Sequence, residues 1–197
     1  MKNSVILWFD KHYARFLTPA DHVIIHDLDV RCADFFLLQS GEPPSLAESE
    51  KRFTEVPAGR DTKHLITLGI FTTDHLLVGI IQALRGYRKP GDWYIGEMLL
   101  DPAERNHGLG TMVHQSFAGW AKQQEVKRLL LAVLKENQSA LSFWTRLGYK
   151  IIKEFPSRKI GRKEHQFIEL EYCLIESDSA GTSITPSIDK EEVTEKK

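Results

Sequence analysis

The stretch Leu99-Leu100-Asp101-Pro102-Ala103-Glu104-Arg105-Asn106-His107-Gly108-Leu109-Gly110-Thr111 has residue types and spacing suited to holding an anion. An apolar strand ends in it, two glycines follow, and an amphipathic helix starts at once. Glycine lacks a Cβ, so a ligand can come close to the backbone there. The first N–H groups of a helix have no partner within it, and the helix dipole puts positive charge at that end. Together they suit an anion such as a pyrophosphate, although a plain strand-to-helix connector fits the same pattern. The stretch is not a Walker loop, because no Gly-Lys-Ser/Thr follows a four-residue spacer. It also lacks the third glycine of the dinucleotide-binding fingerprint.

The elements around the turn are legible from periodicity. Leu109, Met112, Val113, Phe117, Trp120 and Ala121 recur at spacings of three and four, which predicts a helix to about Gln124. Upstream, Leu65 to Thr72 and Leu76 to Leu84 read as an antiparallel hairpin, and Trp93 to Leu100 as the strand entering the turn. Downstream, Lys127 to Leu134 is nearly continuous in apolar residues, which predicts a strand buried on both faces. A short helix from Asn137 to Leu147 closes at Gly148. Strands over 149–155 and 166–174 follow, joined by a basic loop carrying Arg158, Lys159, Arg162 and Lys163.

Near the N-terminus, Tyr13 to Leu17 reads as a strand and Thr18-Pro19 as a helix start. Leu28, Cys32, Phe35 and Phe36 trace one helical face ending at Gly41. Ser45 and Glu48 have capping-box spacing for a second helix to about Thr54.

The chain has 197 residues, 42% hydrophobic and 27% charged, as expected for one globular domain over 1–175. Residues 176–197 are polar and aperiodic, which predicts a disordered C-terminal tail. A net charge of −1 argues against a nucleic-acid or anionic-membrane partner. Cys32 and Cys173 match no metal-ligand spacing and read as reduced thiols. The run Val5–Phe9 is too short for a signal-peptide core, and no stretch reaches the roughly 18 apolar residues of a membrane span. The expectation is a cytoplasmic protein.

Two motifs in order carry a family resemblance. Arg105-x-x-Gly108-x-Gly110 after a strand is the first. The second is Asn137, Ala140, Leu141, Phe143-Trp144 and Leu147-Gly148-Tyr149. From about Trp93 to Tyr149 the chain resembles the GNAT superfamily of acyl-CoA-dependent N-acyltransferases. The resemblance implies an α+β fold in which a mostly antiparallel sheet, flanked by helices, splays between its fourth and fifth strands. It also implies acetyl-CoA as co-substrate, with no metal. The pantetheine arm would pair with Met98, Leu99 and Leu100. The pyrophosphate would sit on the turn, from Arg105 through Asn106, His107, Gly108, Leu109 and Gly110 to Thr111. Asn137 would reach the cofactor's amides, while its spacing alone also fits a helix N-cap.

N-acyl transfer needs a neutral amine, yet a lysine-like amine has a pKa of about 10.4, so a base must remove a proton. Glu97 is the candidate, because the family often places a carboxylate there. Strict alternation would put it on the face of Trp93, Ile95 and Leu99, among apolar neighbours. The competing reading is a structural carboxylate paired with an arginine such as Arg85. Some relatives carry a glutamate on the fifth strand, where this chain has Ala132. Many use a tyrosine as general acid in the second motif, where it has Trp144. Trp144 can donate a hydrogen bond but not a proton, and packing is its plainer role.

Arg85, Tyr87 and Trp93 are candidates for binding the acceptor, with Arg85 and Trp93 suited to a carboxylate or planar group. The expected activity is acetyl transfer to a primary amine of a small molecule or peptide, in a ternary complex. The alternative is a non-catalytic acyl-CoA-binding or sensing module. Homodimers are frequent in the family.

Overall fold

A computed structural model describes residues 5–175, and the tail expected over 176–197 lies outside them. Eight strands form one sheet: β1 (Val5–Phe9), β2 (His12–Phe16), β3 (Leu65–Thr72), β4 (Leu77–Leu84), β5 (Asp92–Leu100), β6 (Arg128–Leu134), β7 (Lys150–Ile160) and β8 (Lys163–Cys173). Their order is β1-β2-β3-β4-β5-β6-β8-β7. Only β5 and β6 run parallel. The helix α4 (Leu109–Gln123) carries the chain back between them, the crossover a parallel pair requires.

Helices cover both faces. On one, α4 and α5 (Gln138–Arg146) bury Leu109, Val113, Phe117 and Trp144 against Trp93, Ile95, Leu131 and Leu170. On the other, α1 (His22–Arg31) buries Ile25 and Leu28 against Ile80 and Leu99, beside α2 (Ala33–Gln39) and α3 (Leu46–Lys51). Complete burial of each such side chain stabilises the fold by about 1.5–3 kcal/mol. The single helical face expected up to Gln39 is divided at Cys32, which ends α1 and precedes α2.

Three expectations change. Val5–Phe9 is a strand, paired with β2 across a turn in which Asp10 has φ 50°. It adds one strand, so the parallel pair at which the sheet opens is β5 and β6. The basic loop expected over 156–165 is a continuation of both flanking strands, which meet at a tight turn at Gly161 and Arg162. Pro156 is accommodated because β7 is an edge strand whose register shifts between Phe155 and Arg158.

The third change concerns alternation along β5. Glu97 lies opposite Gln82, but Ile95 lies opposite Ala83, so Gly96 is an extra, bulged residue. The bulge resets the faces: Trp93 and Ile95 belong to the α4 core, while Leu99 belongs to the α1 core. Glu97 therefore does not share a face with Trp93 and Ile95.

Candidate functional site

Pairing between β5 and β6 stops at Ile95 and Leu131. Beyond that point both strands line a cleft of about 840 Å³. Asp101 N–H donates to the Val78 carbonyl of β4. Alternation along an antiparallel ladder then turns the N–H and C=O of Leu99 and Glu97 toward β4, and those of Met98 and Leu100 toward the opening. The Leu100 carbonyl accepts from Arg105 Nε at 2.9 Å and from the Cys32 thiol at 3.3 Å. Both backbone groups of Met98, and the N–H of Leu100, are left for a ligand.

The glycine turn closes one end of the cleft. Asn106 and Gly108 have positive φ, 65° and 88°. Among the described residues, none of the N–H groups from Asn106 to Thr111 has a protein acceptor, and the first to find one is Met112, bonded to the Gly108 carbonyl. Six consecutive donors at a helix N-terminus form a cradle for a polyanion. Gly110 packs so closely that a Cβ would lie 3.2 Å from the Phe143 ring of α5. Asn137 caps α5, its Oδ1 accepting from Ala140 N–H at 3.1 Å, and lines the cleft as well.

Two ion pairs hold the turn against the helices. Arg105 spans to Asp34 at the start of α2, and the pair lowers the Asp34 pKa while raising that of Arg105. Arg31, at the end of α1, binds Asp101. From Asp34, α2 runs about 10 Å along the cleft. Its far end is fastened to the β7–β8 hairpin: Arg162 N–H donates to the Ser40 carbonyl at 2.8 Å, and His165 Nε2 lies 2.8 Å from the Gln39 carbonyl. Gly161 permits this approach, since a Cβ there would sit 2.7 Å from the Ser40 oxygen.

Between these ends, Glu97 faces the cleft with a partner on α3's side. Arg52 binds Glu97 through two hydrogen bonds of 2.9 Å and Asp29 through two of 2.9 and 3.0 Å. Asp29 is 1% exposed and also accepts from Ser49 Oγ. Burial opposes the charge on Arg52, but the two carboxylates outweigh it and raise its pKa. The apolar surroundings expected for Glu97 are replaced by a guanidinium, and the partner is Arg52 rather than Arg85.

Tyr94 lines the cleft with Glu97 and lies tilted against Tyr87, ring centroids 4.5 Å apart. Burial, above all, pushes its phenol up to about 12. Opposite Ala132 in the β6–β8 ladder stands Glu169, 2% exposed and paired with Arg88. Trp144 lines the cleft too, but it is 7% exposed and packed edge-on against His114 and Tyr149. The Cys32 thiol is buried, which pushes it up to about 11.

The cleft thus gathers Glu97, Met98, Leu99, Leu100, Arg105, Asn106, Gly108, Gly110, Thr111, Asn137 and Trp144. His107 is exposed on the turn, and the Leu109 side chain is buried in the core. The acceptor candidates fare differently. Trp93 is 4% exposed and packs on Phe117 and Trp120, with the Arg85 guanidinium 5.4 Å above its ring. Neither lines the cleft, and Tyr87 reaches it only through Tyr94. Sequence reasoning missed Arg52, Asp34, Glu169 and the placement of Arg158. Each owes its position to a partner at least 45 residues away or on another strand, and nothing local marks it.

Among the described residues no cluster of His, Cys, Asp and Glu is suited to a metal ion, and no helix is long and apolar enough to cross a membrane. Residues 25–149 match the Acetyltransferase (GNAT) family. An N-acetyltransferase of Bacillus subtilis (strain 168), YobR, is 30% identical over 77 residues, 39% of this chain and 29% of that protein. The match therefore spans less than a third of that relative's length. An acetyltransferase from Thermus thermophilus superposes with a TM-score of 0.68 at 19% identity, covering 83% of this chain and 97% of the other. A spermidine N-acetyltransferase chimera from Vibrio cholerae and hSSAT gives 0.66 at 13% identity, covering 84% and 96%. At these identities the structures establish the fold.

Proposed function

Because the chain belongs to the GNAT acetyltransferase family, we propose that it transfers an acetyl group from acetyl-CoA to a primary amine, by direct attack in a ternary complex. One observation carries this reading: six free turn amides, the free backbone of Met98 and the free N–H of Leu100 meet in a single cleft. The donors suit a diphosphate, the strand edge suits the amides of a pantetheine arm, and Asn137 offers a further amide beside them. Acetyl-CoA supplies the activated acetyl thioester.

The protein's own groups do the rest. Glu97, fixed by Arg52, orients a water that relays the proton of the acceptor's ammonium to the carboxylate and so frees the nitrogen's lone pair for attack. The N–H groups of Met98 and Leu100 point into the opening, where one can donate to the carbonyl oxygen as negative charge builds on it. The new C–N bond forms as the C–S bond breaks, the nitrogen sheds its surplus proton to water, and the sulfur leaves as a thiolate, near pKa ~8.5 for a simple thiol, to take up a proton from water. Tyr94, its phenol at about 12, keeps its proton and serves as a hydrogen-bond donor. Cys32 takes no part as a nucleophile, because its buried thiol is held protonated.

The placement of Trp144 in a packed ring cluster favours one competing reading, a protein that binds acyl-CoA without turning it over. Thiol release from acetyl-CoA, measured against a panel of amines, amino acids and peptide N-termini, decides between them. Acceptor-dependent release is expected. CoA binding with no release by any acceptor overturns the proposal.

A further inference from the structure

Five charged side chains line the cleft: Asp34, Glu97, Arg105, Arg146 and Arg158. Both carboxylates are already engaged, Asp34 by Arg105 and Glu97 by Arg52. Arg146 stands on α5 one turn beyond Phe143, whose ring touches Gly110, and so belongs to the turn's end of the cleft. Arg158 is at the other end, on β7, where its guanidinium lies 4.0 Å from the Phe167 ring centroid. It has no ion-pair partner among the described residues: the nearby buried carboxylate, Glu169, is taken by Arg88.

This charge pattern discriminates between classes of acceptor. A polyamine needs unpaired carboxylates along its path, and the lining offers none. An acceptor bearing a carboxylate meets an unpaired guanidinium seated over the Phe167 ring, whose fork fits a carboxylate with two hydrogen bonds. The Phe167 ring covers one side of the otherwise exposed group.

Resting on the acetyl-transfer reading, we infer that Arg158 is the specificity determinant of the acceptor site, and that the acceptor is an amine that also carries a carboxylate. The amine is presented toward Glu97 and Tyr94, and the carboxylate is held at the β7–β8 hairpin. Arg158 is a recognition residue, with no part in moving the proton.

Two measurements test this. In the first, protein saturated with CoA is titrated calorimetrically with a panel of N-acetyl amino acids, their methyl esters, and N-acetylspermidine. At least one free acid is expected to bind roughly ten- to a hundredfold tighter than its ester, the range of a charge-assisted pair. Arg158→Ala should reduce that ratio to within about twofold by weakening the acid alone, and Arg158→Lys should keep part of it. The inference is overturned by equal binding of acids and esters, by a preference that survives Arg158→Ala, by tighter binding of N-acetylspermidine, or by no binding of any acid. The second measurement is thiol release with the matching free amines. Turnover that is indifferent to Arg158 overturns the inference and leaves acetyl transfer standing. An acid preference without turnover on any amine overturns acetyl transfer and leaves the anion site standing.

Discussion

Arg52 grips Glu97 with two hydrogen bonds, Nε to Oε2 and Nη2 to Oε1, each 2.9 Å. The same guanidinium also holds Asp29, so one cation at 8% exposure serves two carboxylates. The pairing sets the direction of the Glu97 carboxylate and links the cleft to the packing of α1 and α3.

Glu97→Gln keeps the shape but loses the proposed proton acceptor. We expect kcat to fall by roughly 10²- to 10⁴-fold with CoA affinity unchanged, as measured by thiol release and calorimetry. Full turnover in this variant would sink the assignment. Arg52→Ala leaves two carboxylates without a counter-charge, Asp29 deeply buried. Urea unfolding should show a loss of about 3–5 kcal/mol, well beyond that of an exposed ion pair such as Lys51–Glu55.

On the proposed reading the glycine turn holds CoA through backbone geometry. At Gly108 a Cβ meets nothing within 4 Å, but φ is +88°, a conformation that costs an L-residue roughly 1–2 kcal/mol. In Gly108→Ala the turn relaxes toward negative φ and the amides lose their common aim. CoA affinity should drop about tenfold, while Tm should fall by only a few degrees. Gly119→Ala, on the exposed side of α4, serves as the control and should bind CoA as the parent does.

His114 gives stability a pH dependence. It is 2% exposed within a cage of Trp144, Tyr149 and Tyr172, and burial pushes its pKa down to about 4. The unfolded chain takes up that proton near ~6.5, so between about 6.5 and 4 the unfolded state binds more protons than the folded one. Stability should be fully present above this window and fall by up to ~3 kcal/mol as pH drops through it. Urea unfolding between about pH 7 and 4.5 measures the slope, and His114→Phe should flatten it. An equal slope in both proteins would assign the effect to other groups.

The cysteines should differ in reactivity. Cys173 is exposed, whereas Cys32 is buried, bonded to the Leu100 carbonyl and shifted to about 11. Iodoacetamide at about pH 8, read by peptide mass spectrometry, should label Cys173 in the native protein and Cys32 only after denaturation. Rapid labelling of native Cys32 would contradict the packing of α2 against β5.

The sequence by itself determined what depends on near neighbours. The Gly108-x-Gly110 turn, the apolar stripe of α4 and the Ser45–Glu48 cap are set by interactions within a few residues, and each lies where its spacing puts it. The run from Leu129 to Leu134 likewise declared a buried strand by composition alone. Tertiary structure decided which way the side chains around the cleft face. Gly96 becomes a bulge only through its register with Gln82 and Ala83 on β4, and that one extra residue moves Glu97 away from Trp93 and Ile95. Arg52 finds Glu97 across 45 residues, and Arg158 enters the cleft only because β7 and β8 extend to meet Ser40. Local periodicity records which residues seek burial, whereas strand register and ion pairing between distant segments exist only once the sheet has closed.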